Sequence, residues 1–355
     1  MKFNPAGLLL CTFLVGCGGT APFGEPETTE DTSGGTTTEE TITSNRALPP
    51  GTASPQPDTT IFRKEPVSDE GNGFATGIAY NAENDTFSVD NLPFDGGEDT
   101  PYIRGQAVSS FGDYAVYEAV NQYPDSLNGS PIGQFRHRAI YGVSRSGNTE
   151  FAIVRTGDYV NYGFGGFVYE RNGTVTLPTS GQASYRGQGA GLRDYGGRGG
   201  LEYTSSDVEI AVDFDDFNAD TGRYEGAVNG ILTNRRIYGL NGDEITNDVL
   251  ARINVSQDAS LTAIPTAVFT VSTNALDSNG EITGTLSSRL INNSGVFVQF
   301  ESGTYYGILS GDEAEELVGI IVTETSLDPN ATSVRDTTGF TIYREPAATT
   351  SSASQ

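Results

Sequence analysis

Few side chains in this chain combine the type and the spacing that chemistry requires. His137, within Gln134-Phe135-Arg136-His137-Arg138, is the only histidine. It could serve as a base or ligate haem iron, but a lone strand histidine between arginines reads as a structural residue. Gly142-Val143-Ser144-Arg145-Ser146 falls one residue short of a nucleophile elbow, because Ser146 stands where the second glycine belongs. Asp216-Phe217-Asn218-Ala219-Asp220-Thr221-Gly222 imitates the start of a calcium loop. Its glycine comes one place late, and Ala227 occupies the position of the bidentate glutamate. A turn rich in Asx residues is the better reading. Asp215 and Asp216 could serve a glycosidase, but carboxylate pairs in turns are commonplace. No Walker sequence or dinucleotide fingerprint follows a strand. No catalytic and no metal-ligating residue is therefore assigned.

One cluster suits recognition rather than reaction. Arg235 and Arg236 with Tyr238 form a basic and aromatic group in a chain whose formal net charge is -26. Such residues are favoured at binding hot spots. They are expected in a loop just past a strand, where a solvated hairpin end is the plainer alternative. The same carboxylate excess argues against nucleic acid as a partner, since phosphate recognition needs clustered Lys and Arg.

The N-terminus carries the clearest chemical signal. Lys2 is followed by the apolar run Leu8-Leu9-Leu10-Cys11-Thr12-Phe13-Leu14 and then Val15-Gly16-Cys17. So short a run cannot span a bilayer, and residues 1–16 read as an export signal. Leu14-Val15-Gly16-Cys17 resembles the lipobox of bacterial lipoproteins. That resemblance implies cleavage before Cys17, acylation of its thiol and acylation of the new amine, which together hold a protein on a membrane without a spanning helix. Cys11 would leave with the signal, so the folded part would have no thiol, and disulfides and zinc thiolate sites are excluded. Residues 17–60 are Thr, Glu, Gly, Ser and Pro with little apolar content, the composition of a disordered tether. Flexible-chain scaling gives it a reach of roughly 35 Å.

The remainder is patterned for strands. Gly 45, Tyr 17 and Phe 18 with few helix-like runs point to an all-β class. In the stretch 181–234, Val208, Ile210, Val212 and Phe214 alternate with Glu209, Ala211, Asp213 and Asp215, the period of a half-buried antiparallel strand. Ala183, Tyr185 and Gly187 alternate in a run before it, and Tyr224, Gly226, Val228 and Gly230 in a run after it. Glycines within strands suit a tightly curved, closed barrel. Further strands are expected at 264–273, 281–289, 295–300, 303–309, 317–325 and 339–344, about eight in all, enough to close a barrel with a filled interior. Before them, 61–178 forms a second antiparallel region with strands at 74–80, 86–89, 102–108, 114–120, 139–145, 150–156 and 159–170. The aromatic run Tyr159, Tyr162, Phe164, Phe167 and Tyr169 reads as core before recognition surface. Residues 346–355 form a polar tail.

GQASYRG, GGLEY, VEIAVDF and GAVNGILTN, in that order, resemble the barrel domain of transferrin-binding protein B and related surface lipoproteins. Gly303-Thr304-Tyr305-Tyr306-Gly307, with the later segment ending Leu317-Val318-Gly319, resembles the family's last hairpin. The resemblance covers 181–344. It implies a handle-like antiparallel domain at 61–178 and an eight-stranded antiparallel barrel at 179–345. It also implies an outer-membrane surface location, a non-enzymatic capture role, and as partners a soluble protein or haem ligand and an outer-membrane transporter. Transferrin-binding members carry two handle–barrel lobes, while this chain has room for one. The rival readings are a structural surface lipoprotein without a ligand, a pore-forming outer-membrane barrel and a carbohydrate-active enzyme.

Overall fold

The computed structural model describes residues 47–346, apart from 70, 94, 96–99, 121–125, 131–135, 157–163, 221–222 and 226. Cys17, the tether up to residue 46, Tyr159, Tyr162 and residues 347–355 lie outside the described residues. Two antiparallel sheets account for nearly all the regular structure.

The first sheet has nine strands: β1 (Ile61–Lys64), β2 (Ile78–Asn81), β3 (Thr86–Val89), β4 (Tyr102–Arg104), β5 (Ser110–Phe111), β6 (Tyr114–Glu118), β7 (Arg138–Val143), β8 (Thr149–Arg155) and β9 (Gly165–Arg171). It is open and curled, in the order β1-β9-β8-β7-β6-β4-β3-β2, with β5 beside β6. Alternation gives it two apolar faces. Phe87, Tyr102, Tyr117, Tyr141, Val154 and Val168 pack together on the side away from the second sheet. Val116, Ile140, Phe151, Ile153, Phe167 and Tyr169 pack against the second sheet. Tight turns join the strands where the sequence signals them: Gly147 has φ +76°, and its N–H donates to the Ser144 carbonyl at 3.0 Å.

The second sheet contains β10 (Gln182–Gly196), β11 (Leu201–Asp213), β12 (Phe217–Asn218), β13 (Arg223–Glu225), β14 (Val228–Tyr238), β15 (Ala267–Phe269), β16 (Thr273–Asp277), β17 (Glu281–Ile291), β18 (Phe297–Ser310), β19 (Glu316–Thr325) and β20 (Ser333–Arg344), with α1 (Thr246–Gln257) between β14 and β15. Its path β17-β15-β14-β11-β10-β20-β19-β18 returns to β17, so eight strands close into a barrel. The interior is packed rather than hollow: Tyr185, Ile210, Phe269, Tyr305, Leu317 and Phe340 fill it. Phe269 stacks on Tyr305 with ring centroids 4.1 Å apart. Gly284 makes room for the Tyr305 ring, since a Cβ there would strike it. A filled core and an outer surface carrying Thr285, Ser302 and Glu324 do not suit a lipid-bathed pore.

Several boundaries differ from the sequence reading, for identifiable reasons. GGLEY and VEIAVDF belong to one strand, β11, because Ser205 and Ser206 continue the extended backbone between them. The expected runs 295–300 and 303–309 fuse into β18, where Gly303 takes a close backbone approach from Val322 of β19. The run 224–230 divides instead between β13 and β14. The expected strand 264–273 reduces to β15, with β16 starting at Thr273. Helix α1 was not expected. Its apolar stripe is only Val249, Leu250 and Ile253, its N-terminus has no side-chain cap, and the stripe acquires meaning only from the barrel end it covers.

Candidate ligand-binding site

Arg235, Arg236 and Tyr238 lie within β14, not in a loop. The reason is a β-bulge. Asp207 pairs with Thr233 and Ser205 with Arg236, so Asn234 and Arg235 together oppose Ser206. Asn234 takes the left-handed conformation with φ +49°. The extra residue shifts the alternation, and Arg235 turns into the barrel where Leu232 would otherwise be followed by Asn234. There its guanidinium makes a bidentate pair with Glu301. Arg236 turns outward to Glu244 at 3.0 Å, an exposed pair of little energetic weight. Tyr238 faces the first sheet, its ring 5.0 Å from that of Phe111. The three residues therefore point to three different surroundings and do not form one contact surface.

Arg235 instead belongs to a polar layer inside one end of the barrel. Arg193 donates to Glu202 at 2.6 Å, Ser288 donates to Glu301 at 3.1 Å, and the Thr204 and Thr338 hydroxyls donate to Asp336 at 3.1 and 2.9 Å. Burial raises the Asp336 carboxyl above its ordinary range, and the Arg235 charge only partly counters this. The layer encloses a cavity of about 30 Å³, room for a water or two but no ligand. Val249, Leu250 and Ile253 of α1 seal that end against Ile237, Leu290 and Phe300. Ion pairs so enclosed specify geometry, and the charges within the layer answer one another.

His137 is fully buried, its ring 6.3 Å from that of Tyr102, in the core of the first sheet. Ser144 and Ser146 both donate to Glu316 of the barrel, at 3.1 and 2.8 Å, and so fasten one sheet to the other. Asn218 accepts from the Asp220 N–H at 2.9 Å, the expected Asx turn. Phe164, Phe167 and Tyr169 are buried, as a core reading requires. Among the described residues no group of three His, Cys, Asp or Glu side chains converges on a metal position.

The seam between the sheets supplies what the motifs did not. The barrel-facing side of the first sheet carries arginines and a glutamate, each buried. Arg63 of β1 donates from Nε and Nη2 to the two Glu281 oxygens at 2.7 and 2.8 Å. Glu65 receives Arg155 at 3.0 Å and also the guanidinium of Arg335. Burial works to raise the Glu65 carboxyl, but Arg155 and Arg335 outweigh it and hold it below its ordinary value. Arg171 spends its donors on backbone carbonyls, including Asn279 at 2.8 Å and Leu309 at 3.0 Å in the barrel. The Tyr114 hydroxyl donates to the Gln188 carbonyl at 2.6 Å and accepts from the Thr341 N–H at 2.9 Å. Unlike a flexible hinge, this seam is buried and charge-paired.

Where the seam opens, it leaves a groove of about 750 Å³. One wall is the segment Glu65, Pro66, Ser68 and Asn72 with Phe167; the other is the outer face of the barrel. That face is a grid set by strand register. Thr285, Thr304 and Val322 lie side by side across β17, β18 and β19, and the next row is Ser287, Ser302, Glu324 and Arg335, reaching β20. Tyr306 forms the inner end, its ring centroid 6.1 Å from that of Phe167. Burial raises the Tyr306 phenol, which stays protonated. The groove presents hydroxyls, the rings of Phe167 and Tyr306, and charges that compensate one another.

A handle-like curled sheet against a filled eight-stranded barrel is thus the class of protein this fold defines. No family model and no curated protein matches the chain. Among solved structures it is similar to a variant of transferrin-binding protein B from Haemophilus parasuis, at 13% identity and a TM-score of 0.33 over 66% of this chain and 37% of that one. It is similar also to transferrin-binding protein B from Neisseria meningitidis, at 15% identity and 0.30 over 64% and 36%, and to a surface lipoprotein, at 14% and 0.28 over 58% and 80%. The chain spans well under half the length of the transferrin-binding proteins it matches.

Proposed function

We propose that this chain is an outer-membrane surface lipoprotein, held by acylated Cys17, that binds a ligand without transforming it. In this reading residues 1–16 are the signal, 17–60 the tether, 61–178 the handle and 179–345 the barrel. The observation that carries the binding role is the groove: a grid of hydroxyls on the barrel's outer face, flanked by Tyr306 and Phe167 and bounded by two bodies locked together by buried ion pairs. Preorganisation of that kind lowers the cost of holding a ligand. The anchor rests on the Leu14–Cys17 sequence. A soluble protein or haem delivered to an outer-membrane transporter is the cargo that the sequence resemblance suggests.

Metabolic labelling with a palmitate analogue tests the anchor. Label on the wild-type protein that disappears in Cys17→Ser supports it; label that is absent, or persists in Cys17→Ser, removes the anchor from the account.

A further inference from the structure

We infer that the seam groove is a binding site for a neutral oligosaccharide of about two to four sugar units. This rests on the binding role proposed above and names its ligand class.

A sugar ring offers hydroxyls that both donate and accept, and one apolar face of C–H groups. The groove offers the complement of each. Thr285, Ser287, Ser302 and Thr304 place hydroxyls at adjacent grid points on neighbouring strands, where successive rows lie roughly 7 Å apart and strands about 4.8 Å apart. Tyr306 and Val322 provide an apolar platform next to them.

Other ligand chemistries fit less well. An extended peptide binding by strand addition needs a free sheet edge, and over the groove β17, β18, β19 and β20 are each paired on the sides they share. An anion would meet Glu65 and Glu324, which offset the charges of Arg155 and Arg335, in a chain of net charge -26. A lipid tail would strip water from a wall of hydroxyls without replacing its hydrogen bonds. A neutral polyol asks for none of these. Glu324, whose side chain is 63% exposed, stands at the groove's end as an acceptor for sugar hydroxyls.

The test is an array of immobilised neutral di- to tetrasaccharides, including maltotriose and triacetylchitotriose, probed with the full-length protein in mild detergent. Sialylated and uronic-acid glycans serve as the charged comparison. Affinity for the best neutral glycan is then measured by calorimetry for wild type, Tyr306→Ala and Ser302→Leu, with melting temperature as the check on folding. The expected result is retention of a neutral glycan, at least tenfold weaker in both variants, while the melting temperature of Ser302→Leu stays at the wild-type value. Retention of no neutral glycan overturns the inference, as does preference for acidic glycans or binding unaffected by either variant. Acylation of Cys17 is read separately. An empty array with a labelled Cys17 therefore rejects the saccharide and leaves the anchored-protein reading intact.

Discussion

Gly339 of the barrel lies directly beneath the ring of Phe151 from the first sheet. A Cβ at position 339 would overlap that ring, so the absence of a side chain is what lets the handle-like sheet seat itself on β20. Gly339→Ala is expected to cost about 1–3 kcal/mol through overpacking. Denaturant unfolding measures it, and Phe151→Leu in the same chain should recover part of the loss. A neutral Gly339→Ala would mean the two sheets are not seated as described.

The Arg63–Glu281 pair makes a second, sharper statement about the seam. Both side chains are nearly inaccessible, at 8% and 0%. Removing only one partner, as in Glu281→Leu, strands a buried guanidinium and is expected to destabilise by about 3–5 kcal/mol. The double variant Arg63→Met with Glu281→Leu should lie much closer to wild type. Chemical denaturation of Arg63→Met, Glu281→Leu and the double variant completes the cycle; equal losses in single and double variants would contradict the pairing.

Glu150 and Glu170 face each other across β8 and β9 on the side away from the barrel. Burial raises the Glu170 carboxyl, helped by the Glu150 hydrogen bond and opposed by Asn172, up to about 7 against an ordinary 4.5. A carboxyl raised on folding binds a proton more tightly in the native state. Its penalty is absent at pH below 4.5 and grows as pH rises through about 7. The melting temperature of wild type should therefore fall by roughly 2–6 °C more than that of Glu170→Gln between about pH 5 and about pH 8. Parallel profiles for the two proteins would contradict the raised Glu170 carboxyl.

Asn234 is the bulge residue beside the inward-facing Arg235. Its φ of +49° suits asparagine and disfavours a β-branched side chain. Asn234→Val is expected to cost about 1–2 kcal/mol, while Asn234→Gly should be close to neutral. Deleting Asn234 removes the bulge but leaves Arg235 alone opposite Ser206 and still facing inward, so the Glu301 pair should survive and the loss should be smaller than in Asn234→Val. Thermal melts of the three variants check the order.

That bulge also explains what the sequence could and could not reveal. Alternation in Val208, Ile210 and Val212 reports local geometry and holds, and the Asx- and glycine-rich segment Asp277-Ser278-Asn279-Gly280 turns as its residue types dictate: Gly280 has φ +82° with its N–H on the Asp277 carbonyl at 3.1 Å. A period of two continues only while no residue is inserted, so nothing in RRIY itself announces that Arg235 and not Arg236 faces the core. Helix α1 was invisible for a related reason, because its three core residues are held by the barrel end and not by any cap of its own. The groove was hidden more completely. Thr285, Ser302, Glu324 and Arg335 are separated by up to fifty positions and become neighbours only through strand register.

The most direct test of the whole account asks whether the groove faces the outside of the cell. With Cys11 removed and Cys17 acylated, a cysteine introduced as Ser302→Cys would be the only free thiol. Intact cells carrying that variant are treated with a membrane-impermeant maleimide. The account predicts labelling on intact cells, equal to that after the envelope is broken. Labelling that appears only after breakage would place the groove on the inner side and contradict the surface-receptor reading.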